Sequence, residues 1–412
     1  MRRLLCLVGV TSLIFFLLLT NAVGQEIRDG GPNGKVLVPA SSVERPEQRG
    51  LFSHTNFMIF IPNAKFDPAG PPPFAETPAS LACVYQLVQQ VSGCPINGST
   101  LVPTGGIGAV GIVDAYDNPD AEEDLATFST QFGLPQCTTA NGCFHQVYAT
   151  GQQPQNDPGG WSLEEALDIE MAHAMAPNAK IFLVEAQDNQ NTSLYFAEDV
   201  ASKLVRQAGG GTISNSWSGS EYYAELLDDA HFRGAGVVYF ASTGDSGAPE
   251  GYPAASPFVV AAGGTQIERS SGKFTGEDGW GGSGGGPSVY ETRPLYQNVI
   301  AKIIGPRRGT PDIAADASPS SGVALYDADG NYNWTVVGGT SVSSPLLAGI
   351  VNAAGRHAFS TEQELGFVYT HANDNDYRTL WRDETVGNNG YSCEVGWDYV
   401  TGIGSPLTYV GK

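Results

Sequence analysis

The 412-residue sequence predicts an α/β fold in which a parallel sheet carries helices on both faces of one large domain. Three observations predict it. Continuous apolar runs recur along the chain, helical stretches separate several of them, and no internal repeat or linker breaks the pattern after Thr77. Strands apolar on both faces belong to sheets covered on both sides, and strand–helix alternation makes such sheets parallel.

The first two dozen residues stand apart from that pattern. Arg2 and Arg3, the apolar run Leu4 to Leu19, and Asn21-Ala22-Val23-Gly24 before Gln25 read as a signal peptide, residues 1–24. A retained membrane anchor is the alternative, but the run is short against the ~20 apolar residues of a span. Cleavage and a secreted location, extracellular or periplasmic, are therefore expected, with no stable membrane association. Residues 25–76, punctuated by "RDGGPNGK" and "DPAGPPPF", read as an irregular leader or short N-terminal segment.

From "TPASLACVYQLV" onward, residues 77–412 form the domain. "IGAVGIVDAYD" (107–117) is an apolar run ending in acids, as suits a buried parallel strand with a functional loop at its end. "AKIFLVEA" (179–186), "TISNSW" (212–217), "GVVYFAST" (236–243) and "FVVAAGG" (258–264) repeat it. "EEDLATFSTQFG" (122–133) and "YFAEDVASKLVRQAGG" (195–210) are helical stretches between them, and "GWGGSGGGPS" (279–288) is a tightly turning loop.

Composition narrows the function. A net charge of −22 argues against a nucleic-acid backbone or an anionic membrane surface as partner, and suits a protein working in acid. The 41 % hydrophobic content supports a sizeable core, and 52 glycines with 26 prolines point to many tight turns. Cys83 with Cys94 and Cys137 with Cys143 read as local disulfides of an oxidising compartment, or else as ordinary buried thiols; Cys393 is left over. No cysteine spacing is that of a zinc site.

"GGTSVSSPLLAG" (338–349) sets Ser341 between glycines and a helix, as a nucleophilic serine would sit. Such a serine needs a base. None of the six histidines lies in an HGTH-type segment. "WSLEEALDIEMAHAMAP" (161–177) offers an alternative, a mostly buried helix with Ser162 as N-cap and Glu165 completing a capping box. Glu164 and Asp168, four apart, project from one face. Buried together they repel, their pKa values rise, and one can serve as a base in acid. A solvated acidic first turn is the competing reading of the same acids, and it suits Glu165. "STGDSG" (242–247) puts Asp245 in a strand-end loop, where it donates a hydrogen bond only while protonated; "SNSWSG" (214–219) puts Trp217 at another strand end.

Taken in order, "TPASLACVYQL", "EEALDIEMAHAMAPNAKIFLVEA", "ISNSWS", "STGDSG", "GGGPSVYETRPLYQ", "GTPDIAADASP", "GGTSVSSPLLAG" and "GWDYVTGIGSP" resemble the sedolisin family, serine-carboxyl peptidases on a subtilisin-like fold. The resemblance implies a single catalytic domain in which Glu164 is the general base, Asp168 orients it, Ser341 is the nucleophile and Asp245 the protonated oxyanion donor. Trp217 lies where the family has a tryptophan beside the acidic network. The resemblance also implies one structural Ca²⁺ held by the Asp383 and Asp398 carboxylates and the main-chain carbonyls of Glu384, Glu394 and Gly396, with Glu394 where the family commonly has glycine. Family members are usually made with a large folded pro-domain, and a leader as short as Gln25 to Glu76 is marginal as an independent domain. The expectation is a secreted, acid-acting, monomeric endopeptidase for polypeptides that folds without such a domain or with a reduced segment. Alternatives within and outside that class are a tripeptidyl exopeptidase, a catalytically silent binding protein, and a histidine subtilase using Asp114.

Overall fold

The computed structural model describes residues 25–412 except 67–68, 99–100, 331, 357, 374–376 and 411. The signal peptide expected over residues 1–24 lies outside the described residues. In chain order the main elements are β1 (Glu26–Asp29), β2 (Gly34–Val38), β3 (His54–Thr55), β4 (Met58–Pro62), α1 (Pro78–Val84), β5 (Ala109–Ala115), α2 (Ala121–Phe132), β6 (Phe144–Tyr148) and α3 (Trp161–Met175). They continue with β7 (Lys180–Ala186), α4 (Asn191–Gln207), β8 (Gly211–Asn215), β9 (Trp217–Ser218), β10 (Val237–Ser242), β11 (Val260–Ser270), β12 (Lys273–Gly279), β13 (Gly286–Thr292), β14 (Arg307–Thr310), β15 (Ile313–Asp316), β16 (Val323–Asp327), β17 (Asn333–Gly338) and α5 (Thr340–Ala353).

The central sheet runs β12-β11-β10-β8-β5-β7-β6, with β15 also on β11; every pairing is parallel except β11 with β12. Successive side chains of β5 point to opposite faces, which is why its whole run is apolar. Val110 and Ile112 pack with Ile169 and Ala172 of α3, while Ala109 and Val113 pack with Leu194, Ala197 and Ala201 of α4. Helices thus cover both faces. All 15 residues of α3 are buried, because α5, α2 and the sheet surround it. The cap of α3 differs from expectation: Gly160 is the N-cap, Asp157 accepts from Trp161 N–H at 3.2 Å, and Ser162 lies inside the helix. A glycine-rich approach lets Asp157, four residues ahead, supply the oxygen.

Residues 25–76 are not an irregular leader. β1, β2 and β4 form a second, antiparallel sheet with β17 and β16, in the order β1-β2-β4-β17-β16. β4 joins β17 by pairing Ile59 with Val337 and Met58 with Gly338, just ahead of the "GGTS" turn. Strands of two to five residues between Gly and Pro breaks leave no periodic run to read in the sequence. Cys83–Cys94 and Cys137–Cys143 are disulfides, and Cys393 is buried and free. Among the described residues no helix is long and apolar enough to cross a membrane.

Candidate active site

Ser341 is the second residue of α5, in the first turn, where backbone N–H groups are free of intrahelical partners. The preceding Gly339 holds φ at +115°, and a Cβ there would come within 2.2 Å of the Asn56 carbonyl oxygen and 2.5 Å of Asp245 Oδ2. Only glycine fits that approach. Ser341 Oγ, fully buried, donates to Glu164 Oε2 at 2.9 Å, with the Ser216 carbonyl an alternative acceptor at 3.1 Å. Among the described residues no histidine is one of its partners.

Glu164 and Asp168 lie one turn apart on α3 and are both wholly buried. Asp168 Oδ1 accepts from Ser216 Oγ at 2.6 Å, and Ser216 is the link between β8 and β9. Glu164 Oε1 and Asp168 Oδ2 have no partner among the described residues. Asp114, at the end of β5, leaves both carboxyl oxygens unpartnered. Burial pushes all three carboxyls well above the ordinary range; Asp168 and then Asp114 push Glu164 further, and Asp168 and Glu185 do the same to Asp114. Burial and the neighbouring carboxyls thus both work against all three acids being ionised at once. Glu165 is also fully buried with both oxygens unpartnered, so it is no solvated first-turn acid; the crowding of α3 on all sides overrides the preference of its N-terminus for exposure. Trp217, buried on β9, donates its indole N–H to the Val113 carbonyl at 2.8 Å and so fixes the strand end that carries Asp114.

Asp245 lies in the loop after β10, across α5 from the two acids. Its Oδ1 accepts from Thr340 N–H at 2.7 Å and Thr340 Oγ1 at 2.9 Å, while Oδ2 is buried without a partner. Burial, partly offset by these two hydrogen bonds, pushes its carboxyl up to about 7.

Four residues of the site were not foreseen: Asn56, Ser216, Ser218 and Ser242. The Asn56 amide donates to Ser218 Oγ at 2.9 Å and Ser242 Oγ at 2.6 Å, and its backbone N–H lies 3.2 Å from Ser341 Oγ. Main-chain contacts and small hydroxyls carry no pattern in the sequence, although "ISNSWS" already placed Ser216 and Ser218 at a strand end.

The expected Ca²⁺ ligands gather on the C-terminal loop. Asp383 Oδ1 accepts from Gly396 N–H at 2.9 Å, and Asp398 Oδ2 from Glu394 N–H at 2.9 Å, so both carboxylates face the 394–398 turn. Glu384 turns its side chain away to Ser405 Oγ at 2.8 Å. The carbonyls of Glu384, Glu394 and Gly396 accept no hydrogen bond from any described residue. Two carboxylates and three unengaged carbonyls are a hard-oxygen set that fits Ca²⁺. Gly396 has φ +85°, whereas Glu394 reaches its place without a positive φ. The one cluster of Cys, Asp, Glu and His atoms close enough to share an ion among the described residues, Cys137, Cys143 and His173, is a disulfide beside a histidine.

The chain matches the subtilase family over residues 147–382. It is 32 % identical to kumamolisin of Bacillus sp. (strain MN-32) over 376 residues, covering 81 % of this chain and 62 % of that protein. The chain belongs to the subtilase family, among the sedolisins. Its fold matches Pseudomonas sedolisin, described as a serine-carboxyl proteinase complexed with two molecules of pseudo-iodotyrostatin, at a TM-score of 0.64 and 25 % identity, over 81 % of this chain and 95 % of that one. It is also 29 % identical to tripeptidyl-peptidase 1 of Dictyostelium discoideum over 326 residues, 69 % of this chain and 50 % of that protein. This sedolisin-family chain therefore spans less than two thirds of the length of the curated relatives it matches. Its fold is the subtilisin-like one, a central parallel sheet with helices on both faces.

Proposed function

We propose that the chain is a secreted serine-carboxyl endopeptidase that works in acid through Ser341, Glu164, Asp168 and Asp245. One observation carries the reading: the buried hydroxyl of Ser341 donates to a buried glutamate, 2.9 Å away, at a helix N-terminus. A carboxyl raised by burial is a strong enough base to take a serine proton, where an exposed one is too weak. Glu164 takes the Ser341 proton as Oγ attacks a peptide carbonyl, and Asp168 with Ser216 holds the pair in place. Negative charge on the carbonyl oxygen is met by Ser341 N–H, the helix dipole and a protonated Asp245. Glu164 then protonates the leaving amine, and water releases the acyl group by the reverse path.

Ca²⁺ would be held by the Asp383 and Asp398 carboxylates with the Glu384, Glu394 and Gly396 carbonyls. When bound, it neutralises that loop and ties it down; the reaction itself does not pass through it.

Similarity to a tripeptidyl-peptidase favours a second reading, removal of tripeptides from N-termini. The products from one long peptide separate the two, internal fragments against a tripeptide ladder. The primary reading is tested by hydrolysis of a denatured protein from acid to neutral pH, wild type beside Ser341→Ala, with calcium present. Activity confined to acid and lost in the variant is expected. Activity peaking at neutral pH, or surviving in Ser341→Ala, overturns it.

A further inference from the structure

We infer that Asn389, on the C-terminal loop, is a positioning residue for the peptidase reaction: it holds the loop after β10 in the shape that aims Asp245 at the oxyanion. This rests on the catalytic reading above. Thr340 grips the Asp245 side chain by Oδ1, so the direction of Oδ2 follows the loop that carries it. A short loop has no ladder of its own, and its N–H groups show what holds it. Gly244 N–H donates to Thr340 Oγ1 at 3.1 Å, and the Gly244 carbonyl accepts from Gly284 N–H at 2.9 Å. Gly247 N–H donates to the Gly282 carbonyl at 2.9 Å, and Ala248 N–H to the Asn389 carbonyl at 2.8 Å.

Asn389 is 7 % exposed and spends its whole side-chain amide on main chain. Nδ2 donates to the Ser283 carbonyl at 2.8 Å and the Tyr399 carbonyl at 2.9 Å, and Oδ1 accepts from Tyr391 N–H at 3.0 Å. One residue thus joins three segments: its own loop at Tyr391 and Tyr399, the glycine loop 279–288 at Ser283, and the Asp245 loop at Ala248. The fit is close, since a Cβ on Gly247 would stand 2.7 Å from the Asn389 carbonyl oxygen. Ser283 Oγ in turn donates to the Val400 carbonyl at 2.9 Å, so the glycine loop and the loop of Asn389 move as one. An asparagine that served its own turn alone would stop at Tyr391 N–H. The bonds to Ser283 and Tyr399 reach beyond that turn and set where the Asn389 carbonyl stands.

Asn389 touches no reacting atom; it acts through Asp245. Alanine there leaves two buried carbonyls without their donor and loosens the hold on Ala248, three residues beyond Asp245. An active-site group misplaced by about 1 Å costs up to about 10²-fold in rate. Loosening the loop also lets water reach a carboxyl that burial holds at about 7. Its pKa then falls, and the protonated donor is lost at lower pH. The charged groups facing Asp245 are Arg28 on β1 and Glu164 on α3, with Glu44, His54 and Glu250 lining the same cavity. Among the described residues none of these is a hydrogen-bond partner of Asn389, so the variant leaves them in place.

The test is a double-variant cycle on the full chain at saturating calcium. It reads kcat on acid-denatured haemoglobin, and its pH profile, for wild type, Asn389→Ala, Asp245→Ala and the pair combined. Asn389→Ala should lower kcat by about 10- to 100-fold and move the alkaline limb of the profile to lower pH. In Asp245→Ala the same change should lower kcat by less than about twofold, because the loop no longer carries a donor to aim. Asn389→Asp keeps the Tyr391 bond and, while protonated, donates to one of the two carbonyls, so in acid it should retain more activity than Asn389→Ala. If Asn389→Ala fails to fold, the cycle is read with Asn389→Asp. Equal losses in both backgrounds, or a loss that leaves the alkaline limb in place, make Asn389 a structural brace and overturn the inference with the catalytic reading standing. A wild-type kcat and profile in the variant overturn it as well. A folded wild type that cuts no haemoglobin at any pH brings down the catalytic reading and this inference together.

Discussion

Asp245 takes both hydrogen bonds that Thr340 can give, at 2.7 and 2.9 Å, on one carboxyl oxygen, and leaves the other buried and bare one residue from the nucleophile's own N–H. The arrangement ties the loop after β10 to the start of α5. It also leaves Oδ2 as the atom that must carry a proton if it is to meet an oxyanion.

Asp245→Asn keeps an oxygen for Thr340 and supplies an N–H donor that needs no acid. The carboxyl is pushed up to about 7, so in the wild type this donor is lost as pH rises through that value. The variant should retain measurable activity and extend it to higher pH. Asp245→Ala, lacking the donor, should lose about 10²–10³-fold in kcat at every pH. Full pH profiles of kcat for the three proteins check this; an unchanged neutral limb in Asp245→Asn would count against the role.

Glu164→Gln preserves shape but cannot accept a proton, and should cost about 10²–10⁴-fold in kcat/KM with the fold intact. Asp168→Asn is the more informative variant. The Asp168 carboxyl raises that of Glu164, so an amide in its place should move the acid limb of the profile to lower pH. A loss of activity with no movement of that limb would make Asp168 a packing residue alone.

The parallel sheet, α2, α4 and the positions of Ser341, Glu164, Asp168 and Asp245 were legible because each rests on a local pattern, an apolar run, a helical spacing or a turn. What was illegible is long-range. Glu165 has the sequence of a surface acid, and only the enclosure of α3 by α5, α2 and the sheet buries it. "SHTNF" holds no motif, because Asn56 meets Ser341 through its backbone across 285 positions of chain. The strands of residues 25–76 are too short to show a period and exist because β17 offers them an edge.

Gly339 should tolerate no side chain. Gly339→Ala strains a φ of +115° and drives a methyl into the space shared by the Asn56 carbonyl and Asp245 Oδ2. Such strain costs on the order of 1–3 kcal/mol. Thermal unfolding should show a drop of several degrees, and peptidase activity should fall at least about 100-fold, since the methyl fills the oxyanion's place. Wild-type activity in Gly339→Ala would mean that the oxyanion forms elsewhere.

Calcium removal should act on stability before chemistry, because the Asp383 and Asp398 loop does not touch Ser341. Chelation should lower the melting temperature of Ser341→Ala by several degrees, and Ca²⁺ should restore it, in proportion to RT ln(1 + [L]/Kd). Asp383→Asn should lower the melting temperature and blunt that response. No response to chelator or to added Ca²⁺ would sink the assignment of the loop.

The buried acids should make the fold itself acid-stable. Burial holds Asp245 and Glu250 at about 7 and Asp124 and Glu185 at about 8, all above the ordinary carboxyl values near 4 of an unfolded chain. The native state therefore binds more protons than the unfolded one, and stability falls as pH rises. The contribution is whole below about pH 4, erodes above it, and is gone once pH passes the native values of 7 to 8. Buried Lys412, lowered to about 7, works the other way, but only above that pH. Between pH 5 and pH 8 the melting temperature of Ser341→Ala, at saturating calcium, should fall by roughly 5 °C or more. Glu185→Gln and Asp124→Asn each remove one such group and should flatten the slope. A melting temperature level or rising across that window would mean that water or a bound cation already compensates these carboxylates.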